Sequence, residues 1–235
     1  MTLKSYSPAR TLLVTQSDNF YLPRYVDGVL SSKGTGITAI LVLPSFPNIM
    51  SMLKNMLSLF GPILFIFLGA KYLSLIVLDS FLRATRLPSR FSVQSIARKH
   101  KVPCYAIKNI NSSEGLSLIQ HINPEVIFSL AAPQKFQRKL VSYPLLGCYN
   151  IHAALLPKYR GIYGVFWAMV HGEQTTGFTI HKMDLHIDTG PVAMQKKIYI
   201  HPKDSYDTVC KRMISSAIPE IVQFLRKLSQ FRKNF

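Results

Sequence analysis

Three polar side chains of this chain have types and spacings that could act together on one reacting group. Asn150 and His152 stand two positions apart in the stretch YNIHAALLPKYRG, and Asp188 follows in MDLHIDTGPV, 36 positions after the histidine. An asparagine amide can donate hydrogen bonds to an oxygen that becomes negative, and a histidine can serve as an acid, a base or a donor. An aspartate near a histidine favours its charged form. These residue types suit proton transfer beside a developing oxyanion.

Each of these signals also has a purely structural interpretation. A lone N-x-H motif at a strand end is more often structural than catalytic, and DTG before a strand is typical of an Asx turn. Between the two motifs, Pro157 stiffens the loop LLPKYRG and Gly161 eases its exit into a helix. The occurrence of all these signals in this order favours one shared site.

The segments that must position these residues alternate between strands and helices. TLLVT and GITAILVLP are typical of buried strands, and a helix is predicted to begin between them at Ser17 or Asp18. Later strands are predicted at PEVIFSLAAP and GCYNIH, and a pair of strands is predicted at TGFTIHKMD and GPVAMQKKIYI, where apolar and polar residues alternate. A final helix is predicted to contain Pro219, which could kink it. The order predicts an α/β fold: a Rossmann-like, doubly wound, mostly parallel sheet with helices on both faces.

This predicted fold determines where a ligand is expected. In such sheets ligands bind at the carboxyl ends of the strands, and GCYNIH ends with Asn150 and His152 on the same face. No G-x-G-x-x-G motif follows the first strand, so a dinucleotide site is not supported.

Length and composition limit the class of protein. A chain of 235 residues with 48% hydrophobic residues suits one sizeable domain, and we assign residues 1–235 to a single catalytic domain. The net charge of +17 favours an anionic partner, although a lysine-rich solvated surface gives the same number. The three separated cysteines argue against a disulfide framework and a zinc site, and they favour a reducing cytoplasm; no metal is expected.

Residues 46–82 form an unusual apolar segment that Gly61 and Pro62 interrupt. Three interpretations remain open: two core helices joined at these residues, an interfacial amphipathic hairpin, or a membrane-spanning helix. The interfacial hairpin and the membrane-spanning helix would each associate the protein, which we expect to be cytoplasmic, with a membrane. Three arginines follow the segment and would lie near lipid headgroups in the interfacial case: Arg83, Arg86 and Arg90.

The motif series resembles that of the folate-dependent formyltransferases, a family that includes methionyl-tRNA formyltransferase, glycinamide ribonucleotide transformylase and the amino-sugar N-formyltransferases. The shared pattern is N-x-H, L-L-P-x-x-x-G, a helix, G-x-T and D-x-G, and it covers about Pro124 to Ile200 closely. The first strands, Thr11 to Leu43, resemble the family more loosely. The resemblance implies the Rossmann-like formyltransferase fold and 10-formyltetrahydrofolate as the formyl donor.

The resemblance also implies roles for residues at the matching positions. Asn150 and a protonated His152 would stabilise the oxyanion, and Asp188 would hold His152 in its useful charge state and assist proton transfer. The expected acceptor is a primary amine of an anionic compound, either an amino sugar on a nucleotide or carrier or a methionyl-tRNA-like substrate. A folate pocket would be lined largely by backbone groups of six residues: Ser129, Leu130, Ala131, Ala132, His186 and Ile187.

Several features depart from the family pattern. Ala153-Ala154 replaces the common Pro-Ser, which predicts the loss of a loop hydrogen bond. TQSDNFY stands where the purine enzyme carries a glycine-rich phosphate loop, which argues against glycinamide ribonucleotide as acceptor. Little chain follows Ile200, which argues against a full tRNA enzyme, although the charge keeps tRNA open.

Two other functions remain open alongside formyl transfer. One is a formyltetrahydrofolate hydrolase, and the other is a membrane- or nucleic-acid-binding module on a degenerate formyltransferase fold. Peripheral membrane contact would use residues 46–82. The oligomeric state is not predictable from these patterns.

Overall fold

A computed structural model of the chain describes residues 7–45, 49–85 and 89–231. Its strands have the alternating or continuously apolar patterns expected of a sheet whose interior strands are covered on both faces. In chain order the strands are β1 (Thr11–Gln16), β2 (Ile37–Leu43), β3 (Cys104–Ala106), β4 (Val126–Leu130), β5 (Cys148–His152), β6 (Thr175–Lys182) and β7 (Val192–Tyr199).

These strands form one seven-stranded sheet in the order β3-β2-β1-β4-β5-β6-β7. The strands from β3 through β5 run parallel to one another, whereas β6 and β7 are antiparallel to their neighbours. The predicted mostly parallel α/β sheet is therefore confirmed. The chain reverses its direction of travel across the sheet between β1 and β4, which is the kind of switch point where open α/β sheets bind ligands.

Helices cover both faces of this sheet, as predicted. One buried cluster joins the sheet to helices that include α1 and α7, and it contains Leu13, Val26, Phe128 and Ile221. The opposite cluster contains Leu12, Ile119 and Phe136. The helices are α1 (Leu22–Leu30), α2 (Ile49–Ala84), α3 (Val93–Lys99), α4 (Ser113–Ile122), α5 (Arg138–Val141), α6 (Gly164–Val170) and α7 (Tyr206–Phe231).

The first helix begins later than the sequence indicates. Helix α1 starts at Leu22, but the Asp18 carboxylate accepts hydrogen bonds from the backbone N–H groups of Phe20, Tyr21 and Leu22. Asp18 therefore satisfies donors that the first turn would otherwise leave unpaired. The last helix, α7, runs through Pro219 as one continuous element, so the candidate kink at that residue does not divide it.

The described part of the apolar segment is helical from Ile49, and its large side chains beyond Gly61 lie mostly outside the protein core. Helix α2 has non-helical backbone angles at Gly61 (φ 69°, ψ 168°), so two helical legs meet there. The stretch Gly61–Leu82 is long and apolar enough to cross a membrane, and among its described side chains only Asp79 is buried. The leg from Gly61 is therefore not packed as a core helix. The side chain of Arg83 and all of Arg86 lie outside the described residues.

Candidate functional site

The three predicted polar residues meet at the carboxyl edge of the sheet. Asn150 and His152 close β5, and the turn that carries Asp188 follows β6, which runs antiparallel beside β5. His152 Nδ1 lies 3.3 Å from Asp188 Oδ2, and Asn150 Nδ2 lies 3.5 Å from Asp188 Oδ1. The fold thus brings one carboxylate, one imidazole and one amide into a single cluster.

His152 is buried and both of its ring nitrogens face oxygen atoms. Its Nε2 lies 2.7 Å from the Tyr159 carbonyl oxygen, which can only accept, so Nε2 carries a proton. Burial lowers the pKa of His152 below its ordinary value, although the charge of Asp188 and the Tyr159 carbonyl act in the opposite direction. Burial thus opposes the charged ring, whereas the acceptor oxygens of Asp188 and Tyr159 at its two nitrogens favour it, and Nε2 donates to the Tyr159 carbonyl.

Asp188 is held in an unusual backbone conformation that directs its carboxylate into the cluster. Its φ is +53°, a left-handed region that aspartate tolerates better than most residues. Oδ2 accepts a 2.8 Å hydrogen bond from the Gly161 N–H, which ties the DTG turn to the end of the LLPKYRG loop. Burial acts to raise the pKa of Asp188, but hydrogen bonding to His181 and the charge of His152 outweigh it, and the pKa lies below its ordinary value.

A fourth side chain, His181, completes the cluster, and sequence reasoning missed it. His181 pairs with Asn150 across β5 and β6, and it is 2% exposed. Its Nε2 lies 3.2 Å from Asn150 Nδ2 and 3.4 Å from Asp188 Oδ1, while Nδ1 faces the Lys182 carbonyl at 3.1 Å. In the sequence, His181 is one residue of the alternating stretch TGFTIHKMD, and nothing in that stretch marks it as functional. Only the register between β5 and β6 places it beside Asn150.

The residues predicted to line a folate pocket divide into buried and exposed groups. Ser129 lies beside Asn150 in the sheet register, and Ser129 and Leu130 are each 2% exposed, so their side chains are unavailable to a ligand. Ala131, with φ +57°, is exposed just past the strand end. His186 and Ile187 are exposed in a turn that Asp184 closes, through hydrogen bonds from the His186 N–H and the Thr189 hydroxyl. Ser129 to Ala132 lie at the carboxyl end of β4, whereas His186 and Ile187 follow β6, which runs in the opposite direction.

The loop after β5 has hydrogen bonds despite the replacement of Pro-Ser by alanines. The Thr179 hydroxyl donates to the Ala154 carbonyl at 2.7 Å and accepts from the Leu156 N–H at 3.1 Å. The Gln195 amide donates to the Leu156 carbonyl at 2.7 Å. Side chains from β6 and β7 thus bind the loop backbone.

Comparison with known proteins establishes the family. Residues 84–223, more than half of the chain, match the family model described as formyl transferase. The chain belongs to this formyl transferase family. The match includes β5, the loop after it, α6 and the turn that carries Asp188, so the clustered residues all lie within the shared region.

Curated relatives of this formyl transferase family member are longer proteins. A methionyl-tRNA formyltransferase of Thermotoga maritima is 40% identical over 136 residues, which cover 58% of this chain and 44% of the relative. The bifunctional polymyxin resistance protein ArnA of Wigglesworthia glossinidia brevipalpis is 36% identical over 122 residues, which cover 52% of this chain and 19% of the relative. The chain spans less than half the length of these relatives.

Solved structures of low sequence identity share the fold. Glycinamide ribonucleotide transformylase 1 from Symbiobacterium toebii superposes with a TM-score of 0.65 at 14% identity, covering 99% of this chain and 93% of that protein. A sugar N-formyltransferase from Shewanella sp. FDAARGOS_354 superposes with a TM-score of 0.58 at 19% identity, covering 94% and 70% respectively. The likeness extends over almost the whole chain and confirms the Rossmann-like formyltransferase fold.

The burial of the His152 imidazole leads us to predict a pH dependence of stability. Because burial lowers the pKa of His152 below the 6.5 of a free histidine, the unfolded chain binds more protons below that pH, and acid reduces the free energy of unfolding. Urea unfolding at about pH 7.5, 6.5 and 5.5 should show a steeper loss in the wild type than in His152→Gln, whose side chain cannot titrate. Parallel pH profiles of the two proteins would contradict this origin of acid sensitivity.

Proposed function

We propose that this chain transfers a formyl group from 10-formyltetrahydrofolate to a primary amine of an anionic acceptor. The observation that carries the proposal is the cluster of Asn150, His152 and Asp188 at the carboxyl edge of the sheet, within the region that matches the family. The net charge of +17 supports an anionic acceptor. When bound, the folate supplies a formyl group on a nitrogen that can leave.

The segments after β4 and β6 suit a donor held by backbone groups. Ala131 and Ala132 are small, the backbone of Ala131 is in the left-handed region, and both stand at the strand end. The turn containing His186 and Ile187 is preorganised by Asp184 and leaves those side chains exposed. These residues would hold the donor beside the polar cluster.

Each cluster residue has a role that follows from its contacts. His152 holds a proton on Nε2, which the Tyr159 carbonyl accepts until a formyl oxygen replaces that partner. The Asn150 amide hydrogens would stabilise the same oxygen as it gains charge. Asp188, 3.3 Å from His152 Nδ1, would stabilise a proton on that nitrogen and would help move the proton lost by the attacking amine to the folate nitrogen, which leaves as its bond to the formyl carbon breaks. His181 positions Asn150 and Asp188.

The region after β1 disfavours a phosphate group, which bears on the acceptor. The first backbone N–H groups of α1 would form an anion site if they were free. Asp18 accepts the hydrogen bond of Leu22, the first residue of the helix, and those of Phe20 and Tyr21 just before it, Pro23 has no N–H, and the negative charge of Asp18 repels a phosphate. This supports the sequence-based inference against glycinamide ribonucleotide.

Stacked aromatic rings beside the cluster favour an acceptor that carries a nucleobase. The Tyr159 ring stacks on His171 at 5.7 Å between ring centroids, and His171 stacks on Trp167 at 6.1 Å. Trp167 is 39% exposed, and the Tyr159 backbone contacts His152. A nucleotide-linked amino sugar or an aminoacyl-tRNA would present a base to this surface.

Substitution of Trp167 tests this part of the proposal. Loss of one stacking surface should raise the KM for a base-bearing amine by about tenfold with little change in kcat, since stacking contributes about 1–3 kcal/mol per base. Val170→Ala, which truncates an exposed side chain on the same helix, is the matched control. An equal rise in KM for an amine without a base would show that the ring has a structural role.

The central test is transfer of a labelled formyl group from 10-formyltetrahydrofolate to a panel of amines. The panel contains nucleotide-linked amino sugars, a lipid-linked amino sugar and methionyl-tRNA. Formylation of one class above the level without enzyme is the expected result. Release of formate without any amine would instead assign hydrolysis, and absence of both products would contradict the proposal.

A further inference from the structure

The outward face of α2 is a continuous apolar stripe. Its large side chains recur at the spacing of one helix face, and they point away from the sheet. Isolated exposed apolar residues are common on proteins, but a stripe of this length marks an interaction surface. The stripe consists of Ile63 (86% exposed), Ile66 (68%), Phe67 (64%), Leu73 (63%), Val77 (67%) and Phe81 (60%).

The inward face of the same helix is anchored to the domain, which fixes the direction of the stripe. The Tyr72 ring stacks on Phe20 at 5.7 Å between ring centroids, and Lys71 Nζ lies 5.6 Å from the Phe20 ring centroid. Further along, the buried Asp79 carboxylate accepts hydrogen bonds from hydroxyl groups at the start of α3. The donors are Ser89, Ser92 (3.1 Å) and Ser95 (2.9 Å).

The topology rules out a single crossing of a membrane by this helix. Helix α2 connects β2 to α3 and β3, and β2 and β3 are neighbouring parallel strands of one sheet. Both ends of the helix therefore lie on the same side of any bilayer. The leg 49–60 would be about 18 Å long, short of the roughly 30 Å hydrocarbon core, so two crossings are also excluded.

We propose that the outward stripe of α2 inserts into one leaflet of an anionic lipid bilayer, with the bend at Gly61 on the membrane side. A core helix or a cleaved leader would also be long and apolar, but the large apolar side chains of this stretch are exposed and it lies between two strands of a folded domain. The net charge of +17 complements anionic headgroups, and Lys54 and Arg90 are exposed on the helix and shortly after it.

This attachment would hold the polar cluster near the lipid. Helix α2 follows the carboxyl end of β2 in the chain, and Asn150 and His152 close β5 at the same edge of the sheet. Strands β2 and β5 are three strand spacings apart, which is about 14 Å. A bound protein would therefore present its catalytic edge beside the membrane surface.

Vesicle flotation of the full chain tests the proposal without requiring turnover. Wild-type protein should float with vesicles of phosphatidylcholine and phosphatidylglycerol at about 7:3, and less with phosphatidylcholine alone. The double substitution Ile66→Glu/Phe67→Glu should reduce the floated fraction by about fivefold or more, because it places charge in the inserted stripe. The matched control is Leu145→Glu, which adds a charge at a residue 58% exposed outside α2, and it should float like the wild type.

Circular dichroism should show that all three proteins are folded, since the substituted side chains are exposed. Wild-type protein that stays at the bottom of the gradient with both vesicles, or a double variant that floats normally, would overturn the proposal. A soluble dimer that the double variant converts to monomer, measured by light scattering without lipid, would assign the stripe to a second copy of the chain. None of these outcomes depends on whether formyl transfer is observed.

Discussion

Substitution of Asp188 by asparagine is expected to lower kcat/KM for formyl transfer by about 10³-fold, a loss typical of removing a group that assists proton transfer and charge stabilisation. The change keeps the size of the side chain but removes the negative charge 3.3 Å from His152 Nδ1. The asparagine side chain also has only one acceptor oxygen, whereas the two carboxylate oxygens of Asp188 face the Gly161 N–H and the Asn150 amide. The measurement is labelled formyl transfer to the best acceptor of the panel.

Asp184 provides a control within the same turn. Its carboxylate accepts hydrogen bonds from the His186 N–H and the Thr189 hydroxyl. Asp184→Asn therefore changes a loop carboxylate by the same chemistry, and we expect a loss of less than about tenfold. His152→Ala should be at least as inactive as Asp188→Asn. Equal kcat/KM values for Asp188→Asn and Asp184→Asn would contradict the role proposed for Asp188.

Substitution of Gly190 by alanine is expected to impair both folding and transfer. A Cβ atom there would lie 1.8 Å from the Lys182 carbonyl oxygen, and Lys182 is held by a backbone hydrogen bond to the Pro191 carbonyl. The turn must shift, and Asp188 shifts with it. We expect a loss of about 1–3 kcal/mol in the free energy of unfolding and about 10²-fold in kcat/KM, measured by urea unfolding and the same assay.

Gly69 is the matched glycine for this test. A Cβ atom at Gly69 meets nothing within 4 Å, and the residue is within α2. Gly69→Ala should leave transfer unchanged and should alter stability by no more than about 1 kcal/mol, in the direction of a better helix former. If Gly190→Ala and Gly69→Ala had the same stability and the same kcat/KM, the result would contradict the role of a rigid DTG turn in positioning Asp188.

Tertiary structure decided features that carry no local signal. His181 resembles any residue of an alternating strand, and its place beside Asn150 depends on the pairing of β5 with β6. The partner of His152 Nε2 is a backbone carbonyl, which every residue possesses, so its identity as Tyr159 could not be read from side-chain types. The resting charge of His152 depends on burial, which lowers its pKa, and burial is a property of the assembled domain.

The sequence by itself determined the sheet and its helices and predicted a shared site of Asn150, His152 and Asp188, because strand and helix periodicity and side-chain type are local properties. It did not decide whether residues 46–82 are core or surface, because a buried helix and an exposed one share the same composition. The fold decided that question. The inward face of α2 has Phe20 and the serines near Asp79 as partners, and the stripe from Ile63 to Phe81 faces outward. Contacts between distant segments set solvent exposure, and hydropathy alone cannot report them.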